Sequence, residues 1–217
     1  MKRYFELFIG LVLSAFGIAL VINAGLGAFP ASVFNLGIAH TTGFSYGTAN
    51  MIAELLVLLI NIKNKEKIGL TTLANTFITG YIINFWLFVI PESNSILIGI
   101  PMILLGMVML SLGSYFITKC GFGNSASNGL MMVLIRKTKK PLSMIRTIQE
   151  LFFMVFGFLL GGQVGFATVL LSLGFGSVMG LIYKVLKFNP NDVKHQYLEF
   201  KRDVKYEYEI EIYEGEC

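Results

Sequence analysis

The stretch from Gly10 to Gly17, GLVLSAFG, decides the fold, because its glycine spacing returns as GMVMLSLG between Gly106 and Gly113. The offset of 96 residues continues without a gap along the rest of both copies. It aligns Gly25 with Gly121, Gly27 with Gly123, Glu54 with Glu150, Gly69 with Gly165, Thr72 with Thr168, and Gly80 with Gly176. Duplicated apolar halves commonly build a central site between them. We therefore predict two homologous halves, residues 1–92 and 93–188, followed by a tail, 189–217.

The composition is that of a membrane protein. Of the 217 residues, 55% are hydrophobic and 14% are charged, whereas a soluble domain carries about 25% charged residues. Cys120 and Cys217 lie far apart and lack the spacing of metal ligands, so we expect no disulfide framework, no metal site and no cofactor. The net charge of +4 comes from loops between apolar runs, where membrane topology explains it without nucleic acid. The lipid bilayer is the expected partner.

The first apolar run, residues 4–22, follows Lys2 and Arg3 in the manner of a signal peptide. Its glycine pattern recurs deep inside the chain, where no signal peptide belongs, so we expect a retained transmembrane helix. Eight apolar segments follow from the sequence, four in each half. The long ones are 4–23, 46–62 and 69–90, then 95–118, 143–162 and 165–186; the short ones are 28–40 and 124–136. Thirteen residues reach only about 20 Å, which is too little to span, so the short segments are predicted half-helices or re-entrant hairpins.

The basic residues favour inverted halves. If both short segments re-enter, all 17 Lys and Arg residues are cytoplasmic or at the cytoplasmic boundary, as the positive-inside rule prefers. Three crossings per half then turn the second half upside down. The homologous loops agree, since residues 63–67 carry three lysines and 159–163 none, while 41–45 carry no charge and 137–141 three lysines. Eight full spans with parallel halves is the alternative.

Two acidic residues lie well away from the ends of apolar segments. Glu54 is near the middle of 46–62, where an acidic side chain costs roughly 3 kcal/mol, and Glu150 takes the matching place in the second half. Arg146 lies one helical turn before Glu150 and can neutralise it, whereas Asn50 holds that position before Glu54. On a functional interpretation, Glu54 binds a proton or cation. On a structural one, both glutamates bond to backbone at broken helices.

The glycine pairs before the short segments are the second candidate site. Half-helix N-termini present unpaired N–H groups to an anionic or polar ligand, although the polar residues there can equally serve as helix caps. Small hydroxyl side chains farther along are typical of helix packing. These candidate residues are Gly25, Gly27, Gly121, Gly123, Ser32, Asn128, Thr72, Asn75 and Thr168.

Over residues 5–186 these motifs resemble the YczE-like family of bacterial integral membrane proteins, and more loosely the YitT proteins. The resemblance rests on the segments AGLGAFPAS at 24–32, GLTTLAN at 69–75, ASNGLM at 126–131, and the spacing from Arg146 to Glu150. Ser32 and Asn128 stand where the family pattern has aspartates, Asn84 replaces another acidic residue, and Ala126 replaces a proline. If those acids bind an ion in relatives, this chain binds it differently or not at all.

The tail alternates apolar and charged residues from 204 to 212, which predicts a small cytoplasmic strand or hairpin for self-association, or else a partly disordered tail. Taken together, the sequence predicts an all-α polytopic protein of the bacterial cytoplasmic membrane with both termini in the cytoplasm. Its expected function is that of a permease, and not an enzyme, binding a small polar solute or ion between the halves, with homo-oligomers an open possibility. The alternative is a non-transporting membrane scaffold or accessory subunit.

Overall fold

A computed structural model describes residues 1–93, 95–193 and 195–197, and this part of the chain is helical, with no β-strand. The helices are α1 Lys2–Asn23, α2 Pro30–Thr42, α3 Tyr46–Lys63, α4 Leu70–Phe77, α5 Thr79–Val89, α6 Ile96–Lys119, α7 Ala126–Thr138, α8 Leu142–Leu159 and α9 Phe166–Val185, followed by a 3-10 turn at Pro190–Asp192. The strand predicted for residues 204–212 lies outside the described residues.

The long apolar segments fold as helices of membrane-spanning length. Within the described residues, four helices, α1, α3, α6 and α9, are long and apolar enough to cross a bilayer, and the bent pair of α4 and α5 gives up to five spans. The predicted long segment 143–162 forms α8, whose helix ends at Leu159 because Gly161 takes a left-handed φ of 89°. These helices make the chain a multi-pass membrane protein.

The long apolar segment 69–90 forms two helices, α4 and α5, instead of one. The axis bends by 41° between α4 and α5. Around the bend, the hydroxyls of Thr76 and Thr79 donate to the Thr72 carbonyl and to the Asn75 side chain, and hydroxyls that bond back to the preceding turn often bend helices. In the unbroken helix α9, Ser172 makes the bond that matches that of Thr76, but the residue matching Thr79 is Phe175, which has no hydroxyl to donate.

The two short helices have the predicted length. Helices α2 and α7 contain 13 residues each, and each begins two residues later than the sequence indicated. Pro30 opens α2 at its first turn, where its missing N–H needs no partner. The Ser125 side chain caps α7 by accepting a hydrogen bond from the Asn128 N–H.

Helices α1 and α6 pack directly against each other through glycines. Gly10 lies against Gly113, and Gly17 lies against Gly106, with backbone meeting backbone at both places. Because the partner number falls as the α1 number rises, the two helices run antiparallel. Small residues permit such close approach, which is a principal source of helix association in membranes.

The remaining helices surround this pair. Helix α5 packs on α1 and α9 on α6, while α2 contacts α8 and α3 contacts α7. One buried cluster joins α1, α6 and α9 through Val21, Met107 and Leu171. Large apolar side chains such as Phe88 and Leu97 point outward, and they are 90% and 85% exposed. This outer apolar surface faces the lipid.

After α9, the described end of the chain returns to the second glycine pair. The Gln196 N–H donates to the Gly121 carbonyl at 2.7 Å. Arg3, at the start of α1, donates from Nε to the Cys120 carbonyl and from Nη1 to the Gln196 side chain. Both ends of the described chain therefore meet at the end of α6.

Glycines 96 residues apart allow a matched test of packing. A methyl group added to Gly80 would overlap the Gly47 carbonyl, whereas one added to Gly176 would meet nothing within 4 Å. We expect Gly80→Ala to lower the free energy of unfolding by about 1–3 kcal/mol through overpacking. Gly176→Ala should be neutral or stabilising by up to about 1 kcal/mol, since alanine suits a helix better.

The measurement is unfolding of the purified variants in detergent micelles, followed by circular dichroism. Equal midpoints for Gly80→Ala and Gly176→Ala would contradict the close contact between α3 and α5.

Candidate functional site

The glycine pairs interrupt the chain after α1 and α6. Gly25 and Gly121 have φ angles of 68° and 67°, and Gly27 and Gly123 have 119° and 94°. Residues with a side chain rarely adopt such angles, so glycine is needed there. At each break the chain turns from a long helix into a short one.

The main chain at each break pairs with the start of a distant helix. The Ala167 N–H donates to the Leu26 carbonyl at 2.9 Å, and the Thr71 N–H donates to the Phe122 carbonyl at 3.1 Å. The two donors, Thr71 and Ala167, lie 96 residues apart in the sequence, and so do the two acceptors, Leu26 and Phe122. The break glycines thus contribute to contacts between distant segments.

Two threonines complete these contacts. The Thr168 hydroxyl accepts hydrogen bonds from the N–H groups of Ala28 and Gly165, both at 3.2 Å. The Thr72 hydroxyl accepts from the Gly69 N–H and donates to the Asn124 carbonyl at 2.5 Å. Neither threonine and none of the four break glycines lines either of the two cavities described next.

The first cavity, which we name the Glu54 cavity, has a volume of about 140 Å³. It lies between α2, α3 and the bent α4–α5 pair, with contributions from α1, α7 and α8. Its lining residues are Ile18, Ala31, Ser32, Phe34, Asn35, Tyr46, Asn50, Ala53, Glu54, Val57, Asn75, Thr79, Ser127 and Phe153. Glu54 is the single acidic residue among the described residues that line it, and none of those is basic.

Glu54 is incompletely paired. Its Oε1 accepts a hydrogen bond from the Ser127 hydroxyl at 3.3 Å, while its Oε2 is buried and has no hydrogen-bond partner among the described residues. A buried carboxylate oxygen without a partner is costly, so the group favours a proton or a cation beside it.

The polar neighbours of Glu54 hold one another in place. The Tyr46 hydroxyl donates to Ser32 Oγ at 3.0 Å, and Asn35 Nδ2 donates to Asn50 Oδ1 at 2.9 Å. These bonds cross from α2 to α3. They fix four polar side chains on the wall of the Glu54 cavity.

The second cavity, which we name the Arg146 cavity, measures about 240 Å³. The predicted ion pair lies on its wall, with Arg146 Nε 3.1 Å from Glu150 Oε1. Both side chains are partly exposed, at 44% and 38%. Gln149, which also lines this cavity, donates from its Nε2 to the Ser127 carbonyl at 3.2 Å.

The two cavities are neighbours and share part of their walls. Both are lined by Ile18, Ala31, Ser32, Ser127 and Phe153. Asn50 and Glu54 line the first, and their partners at an offset of 96, Arg146 and Glu150, line the second. The cavities differ in charge, because the Arg146 cavity is lined by a basic side chain, Arg146, as well as an acidic one, whereas the residues that line the Glu54 cavity include no basic side chain.

The structure therefore separates the predicted site residues into two groups. Ser32, Asn50, Glu54, Asn75, Asn128, Arg146 and Glu150 line the cavities. Sequence reasoning missed the contribution of Tyr46, which precedes Asn50 by four residues and Glu54 by eight. Extending the helical face of Glu54 backwards in steps of four would have found it. Thr79 and the rings of Phe34 and Phe153 carry no comparable signal in the sequence.

Comparison with known proteins identifies the family. A family model described as "Family of unknown function (DUF6198)" matches residues 1–184. An uncharacterized protein of Haemophilus influenzae is 26% identical over 175 residues, which cover 81% of this chain and 80% of the relative. "Uncharacterized protein YyaS" of Bacillus subtilis is 27% identical over 172 residues, covering 77% and 86%.

A third relative bears on the predicted family. "Uncharacterized membrane protein YczE" of Bacillus subtilis is 27% identical over 181 residues, covering 82% of this chain and 83% of the relative. The resemblance to YczE-like proteins is thus confirmed. The name of this relative, which calls it a membrane protein, agrees with the apolar helices of the present chain. No solved structure matches the chain.

Thr168 offers a test of the contact at the first break. Thr168→Val keeps the shape but removes the acceptor for two N–H groups. We expect a loss of about 1–3 kcal/mol of unfolding free energy for each N–H left unpaired. Thr168→Ser keeps the hydroxyl and is the control. Denaturant unfolding in micelles measures both, and equal stability of the two variants would contradict this role.

Proposed function

This chain belongs to the DUF6198 family of proteins of unknown function, and we propose that it is a multi-pass permease that binds a small polar solute or ion between two inverted halves. The proposal joins the duplicated sequence to the Glu54 cavity. It places the protein in the bacterial cytoplasmic membrane with both termini in the cytoplasm. It includes no enzymatic reaction and no cofactor.

The contacts between the halves support inversion. In a pair of halves related by a two-fold axis, a contact between two positions implies a second contact with the roles exchanged. Gly10 against Gly113 and Gly17 against Gly106 satisfy this relation at the offset of 96. The antiparallel course of α1 and α6, which are equivalent helices, is the arrangement that an axis in the membrane plane produces.

Other pairs obey the same relation. The bond from Ala167 to Leu26 exchanges into the bond from Thr71 to Phe122. The left-handed residues Gly43 and Lys139 lie 96 positions apart, with φ angles of 73° and 55°, which supports the duplication and not the inversion. The charge difference between homologous loops adds support from topology.

One observation carries the functional part of the proposal, namely the buried and unpaired Oε2 of Glu54 in a cavity lined by polar side chains. Intramembrane carboxylates are rare, and they mark ion or proton pathways in pumps and transporters. A scaffold would gain stability from an apolar residue at this position. A binding protein has a reason to keep the acid.

The neighbouring cavities suggest how access could alternate. They share a wall formed partly by the first turns of α2 and α7, where Ser32 and Ser127 lie. In the proposed mechanism, one half rocks against the other about the α1–α6 contact and opens the site to each face in turn. Glu54 would then be accessible first from one side of the membrane and then from the other.

The second candidate, a scaffold or accessory subunit, is favoured by the pairing at the glycine breaks. The carbonyls of Leu26 and Phe122 accept hydrogen bonds from N–H groups at the starts of α9 and α4. Fewer main-chain polar groups at the breaks then remain to bind a ligand. On this alternative, the breaks lock the halves together and the Glu54 cavity has no solute.

Cysteine labelling tests inversion. Phe44→Cys and Lys139→Cys, each in a background in which Cys120 and Cys217 are replaced, put thiols in loops that inversion places on opposite faces. Both positions are exposed. We expect an impermeant maleimide added to intact cells to label position 44 and to leave position 139 unlabelled until the cells are opened. Labelling of both from the same face would rule out inverted halves.

A flux assay tests transport. Proteoliposomes containing a pH-sensitive dye are challenged with small amines, alcohols, carboxylates and alkali-metal salts in turn. We expect a solute-dependent signal that Glu54→Gln lowers by about tenfold or more, since a charged hydrogen bond is worth roughly 1.5–3 kcal/mol. Glu92→Gln, an exposed carboxyl outside both cavities, is the control. Unchanged, pH-independent flux in Glu54→Gln would exclude the carboxyl as the coupling site.

A further inference from the structure

We propose that the Glu54 cavity binds a small organic ammonium ion, a protonated amine of about six non-hydrogen atoms or fewer. This inference rests on the proposed function and names the class of its solute. The size follows from the volume of about 140 Å³, because a protein cavity of roughly 150 Å³ admits benzene.

The charge of the cavity selects a cation. Glu54 is the only ionisable carboxyl among the described residues that line it, and no lysine, arginine or histidine is among them. An ammonium group beside Oε2 would supply the partner that this oxygen lacks. An anion would instead meet an uncompensated carboxylate.

The hydroxyl groups of the cavity are oriented as acceptors. The Tyr46 hydroxyl donates to Ser32, the Thr79 hydroxyl donates to Asn75, and the Ser127 hydroxyl donates to Glu54. Each hydroxyl has one hydrogen and two lone pairs, so these three retain acceptor capacity after their hydrogen is used. An ammonium group has three donors and no acceptor, which is the complementary pattern.

The apolar wall distinguishes an organic cation from a metal ion. Phe34 and Phe153 both line the cavity, with ring centroids 5.4 Å apart. Aromatic faces attract ammonium groups by about 0.5–2 kcal/mol, and the side chains of Ile18 and Val57 suit the carbon atoms of an amine. Calcium and magnesium take six or more oxygen ligands, commonly several carboxylates and waters, whereas this cavity offers one carboxylate.

The Arg146 cavity lacks this selectivity. Arg146 occupies the position equivalent to Asn50 and bonds to Glu150 at 3.1 Å. The acid there already has a cationic partner. The ammonium ion is therefore assigned to the Glu54 cavity alone.

The test uses the full-length protein in lipid nanodiscs and isothermal titration calorimetry at pH 7. The probe is n-butylammonium, compared with 1-butanol of the same heavy-atom count, with butanoate, and with sodium and potassium. We expect saturable binding of n-butylammonium only. Its affinity should fall as the pH is lowered, because protonation of Glu54 removes the attracting charge while the amine stays protonated.

Variants then locate the site. Glu54→Gln should weaken n-butylammonium binding about tenfold or more, and Phe153→Leu should weaken it by about twofold to tenfold through loss of the ring face. Glu92→Gln should bind as the unmodified protein does. The comparison of n-butylammonium with 1-butanol on the unmodified protein tests the charge requirement without any variant, and so it does not depend on the stability of Glu54→Gln.

The outcomes separate this inference from the proposed function. Equal binding of n-butylammonium and 1-butanol, or no binding of the amine, overturns the ammonium assignment. Binding of sodium or potassium that depends on Glu54, without binding of the amine, also overturns it but leaves an ion permease standing. The proteoliposome flux assay, which includes solutes of every class, judges the permease independently.

Discussion

The close approach of α1 and α6 is the contact on which the rest of the structure depends. Four glycines, Gly10, Gly17, Gly106 and Gly113, let the two backbones touch. Between helices in lipid, association comes from such close packing and from hydrogen bonds, because the surrounding chains are as apolar as the helices. Since the helices are antiparallel, the chain breaks that follow them lie at opposite ends of the pair. This placement lets one break bond to the start of α9 and the other to the start of α4.

The two cavities show how positions 96 residues apart in the chain can differ in electrostatics. Position 50 is asparagine and position 146 is arginine, each one turn before a glutamate. In the second cavity the arginine and glutamate satisfy each other near the surface. In the first, asparagine bonds to Asn35 instead and leaves the acid with an unmatched oxygen. One side chain therefore separates a neutralised pocket from one that attracts positive charge.

Much of the fold could be predicted from local patterns. The apolar lengths gave the long helices, the glycine pairs and Pro30 gave the short ones, and the four-residue spacing gave the pair of Arg146 and Glu150. The bend at Ile78 could not be predicted, because it coincides with hydroxyl bonds that a hydropathy pattern does not distinguish. The lining residues of the Glu54 cavity could not be predicted either, because the sequence of a uniformly apolar helix does not indicate which of its faces packs against a neighbouring helix. The N-termini after the glycine breaks were expected either to offer N–H groups to a ligand or to be capped by polar side chains. Ser125 caps the Asn128 N–H, and the Leu26 and Phe122 carbonyls of the breaks accept hydrogen bonds from the starts of α9 and α4.

The hydrogen bond from Ala28 to Thr168 joins residues that are 140 positions apart. At roughly 5–20 residues per second, a ribosome needs on the order of ten seconds to make that length of chain. Throughout this interval the first break lies in or near the bilayer without its final partner, where an unpaired polar group is costly. During synthesis, the Ala28 N–H must therefore bond to water, lipid headgroups or the insertion machinery until α9 has been made.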